Sequence, residues 1–313
     1  MAPSSLKSLF KVATTAAVLI APLAQCHLSF VRIAHNGVWQ DPLRYMRNKT
    51  TPYEEAVTTI DYPFTRRFYN DPTWPIDYPE SVRCGRDNMA HAPTTEILTV
   101  RAGDRVAFAH HTYNPGEWTA GQFDCPDGRG TCSDKGYNWV LFHEGPVVAH
   151  LSKVPDGQDV HTYDGAGEWV KIYTLGVGAR EPADVMDVPF IWLPQNDGNM
   201  PPLFEFSIPP QTPPGQYLLR IDLIWPGATM KAYNDNTVYA QMYPSCAQIQ
   251  VESDAIDGML PKGIKIPEDL SPSSPGINVS EAMRLGTVID EDYLYPGGLR
   301  WDGEKLIVDK PVY

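Results

Sequence analysis

Residues 96–110 read EILTVRAGDRVAFAH, two short β-rich runs on either side of the turn Ala102-Gly103-Asp104. Apolar and polar side chains largely alternate in these runs, as they do in strands that bury one face. The turn combines glycine with aspartate, two residue types that tight turns favour. This stretch therefore predicts two consecutive strands of a β-structure.

The same pattern recurs along the chain. Further β-rich runs lie at 146–154, 169–175, 203–208, 217–224 and 239–251. Helical periodicity is scarce, and 30 Pro and 24 Gly punctuate the sequence. Short strands without interleaved long helices favour an antiparallel β-sandwich of the immunoglobulin or fibronectin type over an α/β fold. We predict this all-β sandwich for residues 27–253.

Three segments lack a strand pattern. Residues 38–82 and 112–142 are predicted to be long loops, which in a compact domain usually serve function. Residues 254–313 are rich in proline, and their aromatic side chains give them apolar surface to bury. We predict that they form an irregular C-terminal extension packed on the sandwich.

The first 26 residues have the layout of a secretory signal. Two lysines precede an apolar stretch at 12–23, and the small-residue pattern Ala24-Gln25-Cys26 follows it. The apolar stretch is too short to span a bilayer. Cleavage after Cys26 would give a secreted protein whose first residue is His27.

Charge narrows the classes of partner. The formal net charge is −13, and removing the two lysines of residues 1–26 makes it −15. Such an acidic protein is a poor candidate for binding nucleic acid or anionic membranes, and no later apolar run is long enough for a membrane span. Uncharged polysaccharide remains a possible substrate.

Four cysteines remain once Cys26 leaves with the signal, an even number that suits disulfides in an oxidising compartment. Cys125 and Cys132 bracket a turn-rich segment, which predicts a local bridge and leaves Cys84 to pair with Cys246. Two sequons, beginning at Asn48 and Asn278, are candidate glycosylation sites.

Histidines and one tyrosine are the candidate metal ligands. An N-terminal His27 would offer its α-amine and its imidazole, and His143 lies at the mouth of the 146–154 strand. Gln241 and Tyr243 share one strand face by alternation. Nucleophile motifs are absent, whereas 38 acidic residues give too many carboxylate pairs for spacing to single out a glycosidase site.

Together these motifs resemble the fungal lytic polysaccharide monooxygenases of auxiliary activity family 9. The motifs that carry the resemblance are, in order, His27-x-x-Phe30-x-x-Ile33-x-x-Asn36-Gly37, Arg83-Cys84-Gly85, Ala102-Gly103-Asp104, His143-x-Gly145-Pro146, Pro214-Gly215-Gln216-Tyr217-Leu218-Leu219-Arg220, Ala240-Gln241-x-Tyr243-x-x-Cys246 and Tyr295-Pro296-Gly297. Each motif is weak alone, but the ordered set behind an N-terminal histidine is specific.

The resemblance implies a monomeric copper enzyme with one copper per chain. His27 and His143 would supply three nitrogens, Tyr243 the axial oxygen, and Gln241 a donor towards the oxygen ligand. The implied partners are a polysaccharide surface, cellulose or a related β-glucan, and an external electron donor; the implied reaction is C1 or C4 oxidation driven by O2 or H2O2. Loop and tail tyrosines are candidates to stack on sugar rings, namely Tyr45, Tyr53, Tyr69, Tyr293 and Tyr295.

One position of the sequence departs from the family's pattern. Gly227 falls where the family usually has a histidine that bonds the oxygen species, and no histidine follows His161. His150, His110 and His111 are weak substitutes, so the copper is expected to lack a third imidazole, and introducing His at 227 is expected to raise turnover. The alternatives are a secreted copper-binding protein with little oxidative activity and a hydrolase without copper.

Overall fold

The computed structural model describes residues 27–51, 68–123, 125, 128–132, 141, 143–180, 188–196, 202–230 and 236–312. Within them, two β-sheets enclose an apolar core and confirm the predicted sandwich. The first sheet is antiparallel, in the order β2-β1-β4-β9. Its strands are β1 (Ser29–His35), β2 (Val38–Trp39), β4 (Arg105–His111) and β9 (Phe204–Ser207).

The second sheet is larger and mixed, in the order β16-β15-β6-β5-β10-β14-β3, with β13 also paired to β10. Its members are β3 (Leu98–Arg101), β5 (Val147–Lys153), β6 (Val170–Leu175), β10 (Gly215–Trp225), β13 (Gln241–Met242), β14 (Ser245–Glu252), β15 (Arg300–Trp301) and β16 (Leu306–Ile307). The β14–β3 and β15–β6 pairs are parallel, which the predicted antiparallel pattern did not include.

Smaller elements decorate the two sheets. Two short ribbons pair β7 (Val177–Ala179) with β8 (Phe190–Trp192), and β11 (Ala228–Met230) with β12 (Asn236–Val238). The α-helices are α1 (Pro79–Cys84), α2 (Asn88–His91) and α3 (Glu281–Arg284). None of the helices in the described part of the chain has the length and apolar character needed to cross a membrane.

The turn at 102–104 connects the two sheets. β3 lies in the second sheet and β4 in the first, so the chain changes layer between them. Gly103 has φ +94°, a conformation that residues with a side chain rarely adopt, and its N–H donates to the carbonyl of Ile208 (2.8 Å). Asp104 accepts a hydrogen bond from the backbone N–H of Arg101 (2.7 Å), which holds the turn closed.

The central strand β10 is buried on both faces, although its residues alternate between apolar and polar types. Tyr217, Leu219 and Ile221 point into the core between the sheets. Arg220 and Asp222 on the other face have no exposed surface. Their side chains form a 2.6 Å ion pair, and the Arg220 guanidinium also donates to carbonyls of α1, which compensates for much of the cost of burying these charges.

The segment after β14 packs against the second sheet. In the β15–β6 ladder, the backbone of Arg300 lies opposite that of Lys171, and the side chain of Trp301 packs in the main core. The buried Lys171 ammonium donates to the carbonyls of Tyr295 (3.1 Å) and Pro296 (3.0 Å) and pairs with Asp309 (2.8 Å). These contacts tie the extension to the sheet through one charged side chain.

Disulfides join Cys84 to Cys246 and Cys125 to Cys132, the pairing expected from the sequence. The first links the end of α1 to the start of β14 across 162 residues. The second closes a seven-residue separation within the 112–142 loop. The long-range bridge therefore fixes the strand that follows the candidate ligand Tyr243.

Two sequence predictions need correction. Residues 38–82 are not simply a surface loop, because Met46 bridges to Ala247 of β14 and Arg47 is fully covered. Residues 239–251 do not form one continuous strand, since Tyr243 and Pro244 interrupt the ladder between β13 and β14, which pair with β10 in the same register. Backbone pairing with the second sheet, which the local sequence does not reveal, accounts for the buried 45–47 segment.

Candidate metal centre

Three rings from distant parts of the chain meet at one end of the sandwich. His27 lies just before β1, His143 lies before β5, and Tyr243 lies between β13 and β14. The ring centroids are 5.9 Å apart for His27 and His143, 5.9 Å for His27 and Tyr243, and 5.7 Å for His143 and Tyr243. The structure thus brings together three residues that the sequence analysis had proposed as ligands.

His143 has the chemistry of a metal ligand. Its Nε2 is buried and has no hydrogen-bond partner among the described residues. Burial, reinforced by the charge of His27, lowers the pKa of His143 to about 3, so the imidazole is neutral at physiological pH. A buried neutral nitrogen with an unused lone pair suits a metal ion, because metals bind the deprotonated imidazole.

The glycine after Glu144 explains why His143 can approach the neighbouring strand. Gly145 has φ +135°, and a Cβ there would collide with the carbonyl oxygen of Ile224. Only glycine fits so close to β10 in this conformation. The motif His-x-Gly-Pro therefore places His143 against the end of that strand.

Tyr243 is held by both its backbone and its hydroxyl. Its N–H donates to Asp222 Oδ1 (2.6 Å), and Asp222 in turn is paired with Arg220. The phenol O–H donates to Gln241 Oε1 (2.7 Å), which confirms that Gln241 and Tyr243 lie on one face. Because Oε1 accepts this bond, the donor group of the Gln241 amide points away from Tyr243.

A tryptophan that the sequence analysis missed packs against His143. The centroid of Trp225, the last residue of β10, is 4.9 Å from that of His143. Trp225 Nε1 donates to Glu144 (3.1 Å), and Glu144 also pairs with Arg284 of α3 (2.9 Å). The only sequence signal was position, since Glu144 adjoins His143 and Trp225 lies two residues before the Gly227 departure. These contacts orient the His143 ring and connect it to the C-terminal region.

His27 is held by the 68–71 turn. Asn70 Nδ2 donates to the carbonyls of His27 (2.8 Å) and Thr112 (2.8 Å). Asp71 Oδ1 lies 3.5 Å from His27 Nδ1. Neither residue was singled out from the sequence, since a polar pair in a loop rich in Tyr, Pro and Arg carries no signal. The backbone of His27 is thus fixed by the 68–71 turn.

The other histidines considered lie elsewhere in the structure. His150 is buried in β5 and bonds the carbonyl of Gly297 (3.1 Å). His110 packs between Phe30 and Phe204, and His111 contacts Trp118. Among the described residues, no group of three His, Cys, Asp or Glu side chains could by itself hold a metal ion. The candidate donor set is therefore two imidazoles, the phenol and an α-amine at His27.

Gly227 is packed too closely for a histidine. Its N–H donates to Ile277 (2.8 Å) and its carbonyl accepts from Val279 (2.9 Å), so the backbone is paired on both sides. A Cβ at this position would meet the Asn278 side chain, with the Val238 carbonyl at 2.9 Å and the Ala240 nitrogen at 3.0 Å. This packing argues against the expectation that His at 227 would raise turnover, because a side chain there would require the neighbouring atoms to move.

We expect Gly227→His to lower the free energy of unfolding by ~1–3 kcal/mol, the usual cost of overpacking, and not to increase oxidation of substrate. Gly116→Ala is the matched control, since a Cβ there meets no atom within 4 Å. Chemical denaturation of both variants measures the effect. A Gly227→His protein as stable as the wild type would contradict the packing argument.

Several tyrosines proposed to face a substrate are covered. Four of them are buried by packing and at most 9% exposed, namely Tyr45, Tyr69, Tyr293 and Tyr295. Tyr53 lies outside the described residues. Among the described residues, the exposed aromatic side chains are instead Phe68 (42%), Tyr78 (51%) and Tyr239 (51%). Phe68 is in the turn that holds His27, and Tyr239 immediately precedes the Ala240-Gln241 segment. Two aromatic side chains thus lie next in sequence to residues of the candidate centre.

The residues present fit a copper ion. Two histidine imidazoles with an amine give the nitrogen-rich set that copper prefers, and a phenol oxygen adds a weaker donor. His143 contributes a neutral, unpartnered nitrogen, and the hydrogen bonds of Tyr243 fix its ring beside the two histidines. Outer partners of this kind usually orient metal ligands.

Comparisons with known proteins agree with this reading. The model of Auxiliary Activity family 9 (formerly GH61) matches residues 27–287. The AA9 family lytic polysaccharide monooxygenase C of Malbranchea cinnamomea is 30% identical over 91% of this chain and 96% of its own length. The AA9 family lytic polysaccharide monooxygenase U of Thermothielavioides terrestris is 28% identical over 86% of this chain and 89% of its own length.

Solved structures share the fold. The structure titled CvAA9A superposes with a TM-score of 0.56 at 21% identity, covering 89% of this chain and all of that one. The structure of HiLPMO9B superposes with a TM-score of 0.55 at 21% identity, covering 88% of this chain and all of that one. The family match spans the candidate ligands as well as the sandwich. The chain belongs to Auxiliary Activity family 9, a family of copper-dependent lytic polysaccharide monooxygenases.

Proposed function

We propose that the mature protein begins at His27, binds one copper ion and oxidatively cleaves a β-1,4-linked polysaccharide, with cellulose the first substrate to test. His27 would contribute its α-amine and imidazole, His143 its Nε2, and Tyr243 its phenol oxygen. The single observation that carries the proposal is the convergence of these three rings, with the Nε2 of His143 buried and unpartnered.

Copper, once bound and reduced by an external donor, supplies the one-electron chemistry with O2 or H2O2 that C1 or C4 oxidation requires. The chain's own residues prepare the site. His143 stays neutral because it is buried, so it needs to lose no proton on binding. Gln241 holds the Tyr243 hydroxyl through Oε1, and its amide donor can orient an oxygen co-substrate at the open side.

The substrate surface is proposed to include Phe68 and Tyr239. Both are exposed, and both are close in sequence to residues that contact or form the centre. Aromatic faces stack on sugar rings while leaving the hydroxyl groups free to bond water and neighbouring chains. An uncharged polymer also avoids repulsion by a protein of net charge −13.

A second candidate function is copper binding with little oxidative turnover. The observation that favours it is Gly227, whose packed backbone occupies the position of the family's hydrogen-bonding histidine. Copper binding would be intact in either case, because Gly227 is not among the candidate ligands. Only turnover distinguishes the two functions.

The test is incubation of the copper-loaded protein with cellulose, xyloglucan and mixed-linkage glucan, with ascorbate and either O2 or H2O2. Mass spectrometry should find oxidised oligosaccharides from at least one glucan, and their mass and stability distinguish C1 from C4 attack. His143→Ala provides the inactive control. Copper binding without oxidised products would support the second function, and unoxidised new ends without copper would indicate a hydrolase.

We also propose that the protein is secreted and acts as a monomer after cleavage at Cys26. Residues 1–26 lie outside the described residues. The disulfides are consistent with an oxidising compartment. Of the two proposed glycosylation sites, Asn278 is exposed and Asn48 is half-buried. Intact mass before and after deglycosylation, with N-terminal sequencing, tests processing and both sequons.

A further inference from the structure

We infer that Asp71 is an anionic residue beside the imidazole of His27 that would bind the metal, and that its charge favours the binding of Cu(II) over Cu(I). The inference rests on the proposed copper function and adds to it a residue that determines which oxidation state is stabilised. It begins from the juxtaposition of the Asp71 carboxylate and the His27 imidazole, 3.5 Å apart at Oδ1 and Nδ1.

The carboxylate is held in place by backbone. Asp71 Oδ2 accepts a hydrogen bond from the N–H of Phe68 (2.7 Å), which closes the 68–71 turn and directs Oδ1 towards His27. The neighbouring Asn70 bonds the His27 carbonyl and so attaches the same turn to the first residue of the proposed mature chain. Asp71 is only 12% exposed in its side chain, so solvent screens its charge incompletely.

The charges around Asp71 show how the local field is arranged. Lys49 and Arg86 line the same small enclosed cavity as Asp71. Arg86 is paired with Asp77 (2.6 Å), and the Lys49 ammonium donates to Ser29 Oγ (3.0 Å). The carboxylate therefore has cations on its cavity side and the histidine of the candidate centre on its other side.

The consequence for a metal follows from charge. A carboxylate beside the imidazole of His27 attracts any cation bound there, and the attraction is proportional to the charge of that cation. Cu(II) therefore gains more from Asp71 than Cu(I) does. Removing the negative charge should weaken Cu(II) binding selectively, whereas losing a purely structural contact would weaken both oxidation states together.

The experiment uses the mature full chain and three substitutions at one position. Asp71→Asn removes the charge and keeps an acceptor for Phe68, Asp71→Ser does so with a shorter side chain, and Asp71→Glu keeps the charge. Asp104→Asn is the matched control, because Asp104 pairs with His35 (2.7 Å) at the other end of β1. Chelator competition measures the Cu(II) and Cu(I) affinities, and electron paramagnetic resonance reports on the Cu(II) environment. Thermal unfolding checks that each variant is folded.

We expect Asp71→Asn and Asp71→Ser to lower the ratio of Cu(II) to Cu(I) affinity by roughly tenfold, with a changed Cu(II) spectrum. Asp71→Glu should restore the ratio, and Asp104→Asn should leave it unchanged. An unchanged ratio in both neutral variants, or equal losses for both oxidation states, would overturn the inference. A wild-type protein that binds no stoichiometric copper would instead overturn the proposed function.

Discussion

One extra residue ahead of His27 should lower the affinity for Cu(II) by more than ~100-fold and abolish oxidised products. The added peptide bond removes the α-amine, which is one of the three nitrogens proposed for the metal. Loss of an outer partner of a ligand alone typically costs ~10–100-fold in affinity, and loss of a ligand should cost more. Titration with a Cu(II) chelator, in parallel with the product assay, measures both effects.

His143→Ala should give the same loss by a different route, since it removes the unpartnered Nε2 and keeps the amine. His150→Gln serves as the control, because His150 is buried away from the site against Gly297. Thermal unfolding separates a lost ligand from a lost fold. Near-wild-type copper affinity in both the extended and the His143→Ala proteins would refute the proposed ligand set.

Replacing Cys84 and Cys246 by alanine should lower the free energy of unfolding by ~5 kcal/mol, against ~2 kcal/mol for the Cys125 and Cys132 pair. The difference arises because the first bridge spans 162 residues and the second only seven, and longer loops lose more chain entropy when closed. Chemical denaturation of the two double variants gives both values. Equal losses would show that strain or residual structure, rather than loop length, dominates.

The long bridge should also affect the centre. Cys246 follows Tyr243 by three residues, and its removal frees the start of β14 from α1. We therefore expect weaker Cu(II) binding in the Cys84 and Cys246 variant than in the Cys125 and Cys132 variant. The same affinity in the two would indicate that the Asp222 contact alone holds Tyr243.

Local sequence predicted the strands of four or more residues, apart from β1, because alternation and turn chemistry act over a few residues. The runs at 146–154, 169–175 and 203–208 each contain one observed strand, and the run at 217–224 lies within β10. It was less successful where pairing partners are distant. The burial of 45–47 depends on contacts with β14, which local patterns do not reveal.

Motif order alone is enough to propose His27, His143, Gln241 and Tyr243 as site residues. A short motif can be recognised from its own residues, and a mature N-terminus can be inferred from a signal layout. Asp71, Trp225 and Glu144 were not found this way. Each is an ordinary residue in its own segment and acquires its role only through proximity to a histidine from another segment.

The sequence by itself determined the β-sandwich class, the pairing of the four cysteines and the family, since these depend on residue types, spacing and order along the chain. Only the tertiary structure decided that the 102–104 turn changes layer, that Arg220 and Asp222 are covered, and that Gly227 cannot carry a side chain. The reason is that close packing between segments remote in sequence is set by the whole fold. No local pattern records which atoms will occupy the space beside a given residue.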